Sequence, residues 1–166
     1  MVGRPLEECY AELAPGCDVG LMCTAHRAFQ VEHPHLSHAY PGIVEMLAAL
    51  AEAGVRLGAI TNRRLTARQT LVQAGLDRFL TVVLDGDDVQ NHKPHPEPVL
   101  KALAEFRIEP TAAVMVGDAP VDILAGRNAG ASTIGVTYGF HGALIADSQP
   151  DFIAANPADL GALLGV

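Results

Sequence analysis

The sequence has 166 residues, 49% of them apolar and 18% charged, and its formal net charge is −8 at neutral pH. This length fits one domain with a hydrophobic core, and the composition suits a parallel sheet buried on both faces. The acidic balance argues against nucleic acid and anionic membranes as partners. No apolar run approaches the roughly 18 residues that span a bilayer, and the N-terminus has no apolar signal core, so we expect a cytoplasmic protein.

The first 40 residues predict helices joined by a polar loop. A short helix is expected over 7–13, and Asp18 could cap a second helix that runs to about Val31. This segment holds all three cysteines of the chain. An odd number of cysteines without a secretion signal favours free thiols over a disulfide framework.

From Tyr40 onward, helical and strand patterns alternate. Helices are predicted from 42 to about 53 and at 65–74, 96–106, 120–128 and 157–164. Strands are predicted at 55–60, 82–84, 112–116 and 132–136, with a brief apolar piece at 152–153. Strands separated by helices of about ten residues imply right-handed crossovers and a Rossmann-like parallel sheet flanked by helices.

Polar residues lie directly after two of these strands and within the loop after a third. Thr61 ends one strand, where a hydroxyl can donate to a bound phosphate, and Asn62 can add an amide donor. Lys93 stands between prolines, which would direct its charge toward an anion. Each residue also has an ordinary explanation, since Thr and Asn often cap helices and a loop lysine is often only solvated.

Two carboxylates follow the strand at 112–116. Asp118 lies directly after it, and Asp122 falls within the first turn of the next helix, so both can face one point. Magnesium prefers one or two protein carboxylates, with water and substrate oxygens completing its shell. Helix capping and a favourable helix dipole are the alternative explanation for this pair.

Together these motifs resemble the haloacid-dehalogenase-like hydrolases, particularly their phosphoglycolate phosphatase-like branch. The resemblance rests on five stretches: Tyr40-Pro41-Gly42-Ile43, Ile60-Thr61-Asn62, Asp87 through Lys93-Pro94 to Pro96, Val116-Gly117-Asp118 with Asp122, and the run Ala125 to Gly130. It implies that Thr61 and Lys93 hold the transferring phosphate and that Asp118 and Asp122 bind Mg²⁺. The resemblance also implies that residues 1–40 form a partial helical cap and that residues 41–166 form the α/β core.

The family's first motif, Asp-x-Asp-x-Thr at the end of a central first strand, is not found upstream of Thr61. Its first aspartate is the nucleophile of an aspartyl-phosphate mechanism. We therefore expect the chain to begin inside the cap and to have little or no turnover alone. The acidic run Asp85 to Val89 fits the motif literally, but it lies too close to Lys93 and is interpreted as a loop.

The resemblance also implies that the missing strand lies between the strands that end at Thr61 and Asp118. Those two strands would then each have an unpaired edge, which an oligomer could cover. The function expected of the complete protein is hydrolysis of a small phosphorylated metabolite. A non-catalytic phosphate- or protein-binding domain, and pyrophosphate or sugar-phosphate processing, are the alternatives.

Two further sequence patterns each have a functional and an ordinary explanation. Cys23 and His26, with histidines nearby, could suggest a zinc site, but the spacing fits no standard finger, and cap residues are the preferred interpretation. The stretch from Gly139 to Gly142 could line the site entrance, or its glycines could simply make a turn.

Overall fold

Short parallel strands alternate with helices in the computed structural model, which describes residues 3–166. The helices are α1 (Leu6–Leu13), α2 (Val19–Glu32), α3 (Ile43–Glu52), α4 (Ala67–Gln73), α5 (Glu97–Phe106), α6 (Pro120–Ala129) and α7 (Pro157–Leu164). The strands are β1 (Gly58–Ile60), β2 (Val82–Leu84), β3 (Val114–Gly117), β4 (Ser132–Val136) and β5 (Phe152–Ala154). None of the described helices is both long and apolar enough to cross a membrane.

All strand pairs are parallel, so the predicted α/β class is confirmed. The strands nevertheless form two separate sheets, β1-β2 and β3-β4-β5. Neither β1 nor β3 pairs with a described strand on its second side. The expectation that the strands leading to Thr61 and Asp118 have unpaired edges is therefore confirmed.

Two predicted strands are shorter than the apolar pattern indicated. Strand β1 begins at Gly58 because the chain before it still completes the end of α3, where the Val55 N–H donates to the Leu50 carbonyl at 2.9 Å. Strand β3 begins at Val114 because Pro110–Ala112 form a 3₁₀ turn. In both cases hydrogen bonding to the preceding turn prevails over the apolar pattern.

Helix α5 connects the two sheets on one face. Its Ala102 packs with Val82 and Leu84 of β2, while its Val99 and Leu103 pack with Ala125 of α6. A second cluster, around Leu50 of α3, Ile134 of β4 and Leu160 of α7, covers the β3-β4-β5 sheet. Helices therefore hold the two sheets together, and no strand of residues 3–166 lies between them.

The space between β1 and β3, here called the inter-sheet slot, belongs to a cavity of about 1160 Å³. Its walls include β1, β3 and apolar side chains of α3 and α5 such as Leu50 and Leu103. Native interiors contain few voids larger than a water molecule. The part of this cavity that lies between the two unpaired parallel edges is where one additional parallel strand could pair.

The slot predicts an alternating pattern of amide hydrogen exchange. Thr61 N–H donates to the Leu84 carbonyl at 3.0 Å, and Ser132 N–H donates to the Ala113 carbonyl at 3.1 Å. Because successive residues of a strand direct their backbone groups to opposite sides, the N–H groups of Ile60 and Val116 point into the slot. We expect the amides of Ile60 and Val116 to exchange faster than those of Thr61 and Met115, their neighbours on the paired sides. Equal protection within each pair, measured by NMR-detected exchange, would contradict an open slot.

Candidate active site

The predicted site residues meet at one end of the inter-sheet slot. Thr61 directly follows β1, Asp118 directly follows β3, and Lys93 lies on the loop that leads from β2 to α5. Thr61, Lys93, Asp118 and Asp122 all line the same cavity. The carboxyl ends of parallel strands are the usual place for ligands in α/β sheets, and here they gather these four side chains.

A buried ion pair occupies the centre of this site. Lys93 Nζ lies 2.6 Å from Asp122 Oδ1, and the two side chains are only 8% and 9% exposed. The same Nζ donates to the Ile60 carbonyl at 2.8 Å, on the edge of β1 that faces the slot. The lysine therefore bridges the end of one sheet to the helix that follows the other.

Asn62 fixes the backbone of Lys93. Its side-chain Oδ1 accepts from Lys93 N–H at 3.0 Å, and its Nδ2 donates to the Lys93 carbonyl at 3.0 Å and to the Gly3 carbonyl at 2.7 Å. With its amide thus engaged, Asn62 orients Lys93. The predicted direct contact of Asn62 with substrate remains a prediction, and the structure gives the side chain this positioning role.

The position of the Asp122 side chain requires a glycine at position 117. Its Oδ2 accepts from Ala119 N–H at 3.1 Å, which closes the first turn of α6. A β-carbon built on Gly117 would lie 2.2 Å from the Asp122 β-carbon, so no larger residue fits at position 117. The Gly117-Asp118 pair in the sequence thus reflects close packing as well as charge.

Asp118 is held by the loop after β4. Its Oδ2 accepts from Phe140 N–H at 2.8 Å, and a β-carbon on Gly139 would lie 2.2 Å from the Asp118 β-carbon. The Gly139–Phe140 stretch was expected to line the entrance or to make a turn. Both expectations are confirmed, because Gly142 N–H donates to the Gly139 carbonyl at 3.2 Å in a turn and Phe140 lines the cavity. The stretch also orients the Asp118 carboxylate, a role for which the sequence offers only a glycine shortly after a strand.

Thr61 and the acidic loop have different local roles. Thr61 Oγ1 accepts from Arg63 N–H at 3.1 Å, which leaves its hydroxyl hydrogen to donate to a ligand. In the acidic loop, Asp85 Oδ1 accepts from Asp87 N–H at 2.9 Å, and Asp88 Oδ2 accepts from Asp85 N–H at 2.9 Å. Those carboxylates stabilise their own turn, in agreement with the interpretation of 85–89 as a loop.

The carboxylates suit a magnesium ion only in part. Asp118 Oδ1 accepts no hydrogen bond from the described residues, whereas both oxygens of Asp122 are engaged. No group of three or more potential ligand side chains occurs within residues 3–166. Magnesium needs only one or two protein carboxylates, so Asp118 fits as the direct ligand. Asp122 fits as a second carboxylate whose oxygens already accept hydrogen bonds from Lys93 and Ala119.

The helices α1 and α2 form the other wall of the cavity. Tyr10 Oη lies 2.9 Å from His26 Nδ1, and Gln30 Nε2 lies 3.0 Å from His26 Nε2. Thr66 Oγ1 donates to Gln30 Oε1 at 3.3 Å, which ties this wall to the loop after β1. Both His26 nitrogens are engaged in this way, and the interpretation of Cys23 and His26 as cap residues remains a prediction.

Comparison with known proteins gives consistent sequence matches. Residues 1–136 match the model of a family described as haloacid dehalogenase-like hydrolase. The chain is 38% identical over 168 residues to pyrophosphatase PpaX of Anoxybacillus flavithermus, an alignment that covers 99% of the chain and 78% of that protein. It is also 41% identical over 127 residues to a phosphoglycolate phosphatase of Vibrio vulnificus, covering 75% of the chain and 56% of that protein.

Solved structures share the fold. A hydrolase of the haloacid dehalogenase-like family from Streptococcus pneumoniae superposes with a TM-score of 0.85 at 22% identity. That superposition covers 98% of this chain and 77% of the other. It supports the helix and strand arrangement described above.

The ion pair predicts strongly non-additive stability effects. Replacing Lys93 by Met leaves the Asp122 carboxylate buried without its partner, so we expect a loss of about 3–5 kcal/mol in the free energy of unfolding. Replacing both, with Lys93→Met and Asp122→Leu, removes the unpaired charge and should cost clearly less than the sum of the single changes. Urea unfolding of the four proteins measures the coupling, and simple additivity would contradict a direct interaction.

Gly139→Ala tests how Asp118 is positioned. The added methyl group overlaps Asp118, so we expect a destabilisation of about 1–3 kcal/mol together with weaker Mg²⁺ binding. Gly161→Ala is the matched control, because its β-carbon would meet its nearest neighbour at 3.4 Å, an ordinary contact. If the two variants matched wild type equally in urea unfolding and Mg²⁺ titration, the close approach of Gly139 to Asp118 would be refuted.

Proposed function

Because the chain belongs to the haloacid dehalogenase-like hydrolase family, we propose that it is a phosphatase-type hydrolase acting on small phosphate esters. The observation that carries this proposal is the convergence of Thr61, Lys93, Asp118 and Asp122 at the carboxyl ends of β1 and β3. A hydroxyl, a buried lysine and two carboxylates can together hold a phosphate beside a metal ion.

In this proposal, Thr61 donates its hydroxyl hydrogen to a phosphate oxygen and Lys93 neutralises a second one. Lys93 Nζ already contacts Asp122 and the Ile60 carbonyl, so a phosphate that arrives beside it meets a charge held in a fixed direction. Preorganised donors of this kind stabilise the charge that develops in phosphoryl transfer. A magnesium ion held by Asp118 would supply further charge neutralisation when bound.

The attacking group is the part that residues 3–166 do not provide. The described carboxylates that line the cavity are Glu7, Asp118 and Asp122, and Glu7 is paired with Arg27. We propose that a parallel strand in the inter-sheet slot supplies a carboxylate beside Lys93. Its oxygen would bond to phosphorus as the bond to the leaving oxygen breaks and that oxygen takes a proton, and water would then cleave the acyl phosphate.

A second candidate function is phosphate binding without catalysis. It is favoured by the same observation, because the slot between β1 and β3 holds no described strand to bring a nucleophile. In that case the unpaired edges would be covered by a second copy or another protein. A phosphate-binding chain that forms a defined oligomer and stays inactive after the slot is filled would support this alternative.

The leading proposal predicts that activity depends on filling the slot. The 166-residue chain alone should hydrolyse p-nitrophenyl phosphate at or near background with Mg²⁺. The Gly3 carbonyl contacts Asn62 at the site, so a short apolar strand ending in Asp-x-Asp-x-Thr, joined ahead of Met1, can reach the slot. We expect this extended chain to gain Mg²⁺-dependent turnover of at least about a hundredfold over background, since nucleophile and general acid are restored together.

The control is the same extension with Asn in place of its first Asp, which should fold equally well and remain inactive. Robust turnover by the unextended chain would refute the need for a strand in the slot. Equal turnover by the two extended chains would show that the added carboxylate is not the nucleophile.

A further inference from the structure

The cations around the cavity differ in how they are neutralised. Arg4 pairs with Glu8 and Glu12, Arg27 with Glu7, and Arg64 with Asp87. These arginines are compensated by the protein itself. Lys93 is likewise compensated by Asp122.

Arg63 is the exception at the carboxyl ends of the strands. No carboxylate of residues 3–166 forms an ion pair with it, and its Nη1 donates only to a neutral group, Thr70 Oγ1, at 3.1 Å. Arg56, which also lines the cavity, donates to the Phe106 carbonyl and lies before β1, at the opposite end of that strand.

The surroundings of Arg63 leave its charge uncompensated. Desolvation by the surrounding protein lowers the pKa of the Arg63 guanidinium, which still stays charged at neutral pH. Across the cavity, burial and then the charges of Arg63 and Arg27 lower the pKa of the His26 imidazole. The Arg63 residue is nonetheless exposed, and a guanidinium that is open to solvent and has no described counter-ion can bind a planar or tetrahedral anion.

The position of Arg63 relates this charge to the phosphate site. Its N–H donates to Thr61 Oγ1, and its side chain lines the same cavity as Thr61 and Lys93. Two residues of extended chain span at most about 7 Å, so Thr61 and Arg63 can contact neighbouring groups of one small ligand. The Nη1 bond to Thr70 on α4 keeps the guanidinium in place before a ligand arrives.

We propose that Arg63 is a specificity-determining residue that binds a second anionic group of the substrate, next to the phosphate held by Thr61 and Lys93. The substrate class is then a compact phosphate carrying a second phosphate or a carboxylate within a few bonds of phosphorus. A phosphate ester with a neutral tail leaves Arg63 without a partner. This inference rests on the proposed function, because it uses the same phosphate site.

The test compares ligands that differ only in the second charge. Binding of pyrophosphate and phosphoglycolate, and of the neutral-tailed methyl phosphate and 2-hydroxyethyl phosphate, is measured by calorimetry on the chain and its variants. We expect Arg63→Gln to weaken the binding of the doubly anionic ligands by about tenfold or more, because a charge-assisted hydrogen bond contributes more than a kilocalorie per mole to binding. The neutral-tailed ligands should change less than about twofold, and Arg63→Lys should restore part of the preference.

Arg64→Gln is the matched control, since its neighbouring guanidinium already pairs with Asp87. If Arg63→Gln lowers the affinity for all four ligands equally, or if Arg64→Gln has the same effect as Arg63→Gln, the assignment of Arg63 is overturned. The proposed phosphate site is not refuted by that result. If wild type binds none of the four ligands, the proposed function fails and this inference fails with it. A preference for pyrophosphate over phosphoglycolate, or the reverse, identifies which second anion the site takes.

Discussion

The contact between Lys93 and Asp122 is the constraint on which the site depends. It joins the loop after β2 to the helix after β3, and its second bond, to the Ile60 carbonyl, reaches the end of β1. Buried ion pairs lose much of their Coulomb energy to desolvation unless further hydrogen bonds satisfy both partners. Here Asn62 holds the lysine backbone and Ala119 N–H holds the aspartate, so the pair forms part of a satisfied network.

This network explains how the two sheets can form one site although no described strand lies between them. Helix α5 packs against β2 and α6, which fixes the sheets on one face. The ion pair fixes them at the carboxyl ends, where the ligands of α/β sheets bind. The slot between β1 and β3 then remains apolar along its length and polar at one end, so a strand that enters it would place its last residues beside Lys93.

Most of the fold was predictable from local signals. The helix starts at Asp18 and Asn156 and the apolar strands at 82–84 and 132–136 follow propensity and capping, which act over a few residues. The sites of Thr61, Lys93 and Asp118 followed from their positions after strands. The roles of Asn62, Gly139 and Phe140 could not be predicted, because each depends on a contact with a residue 20 or more positions away. Distant contacts leave no periodicity in the sequence.

Local compensation of charge also explains how a chain with a net charge of −8 could form the anion site that we propose. The overall field repels anions, and screening limits it to about 8–10 Å at physiological salt. Of the carboxylates that line the cavity, Glu7 pairs with Arg27 and Asp122 with Lys93, whereas Asp118 forms no ion pair with a described residue. The paired acidic residues neutralise specific cations and leave Arg63 and Asp118 without an ionic partner. The charge that an incoming ligand meets at the cavity is therefore set by these unpaired groups, and not by the sum over the chain.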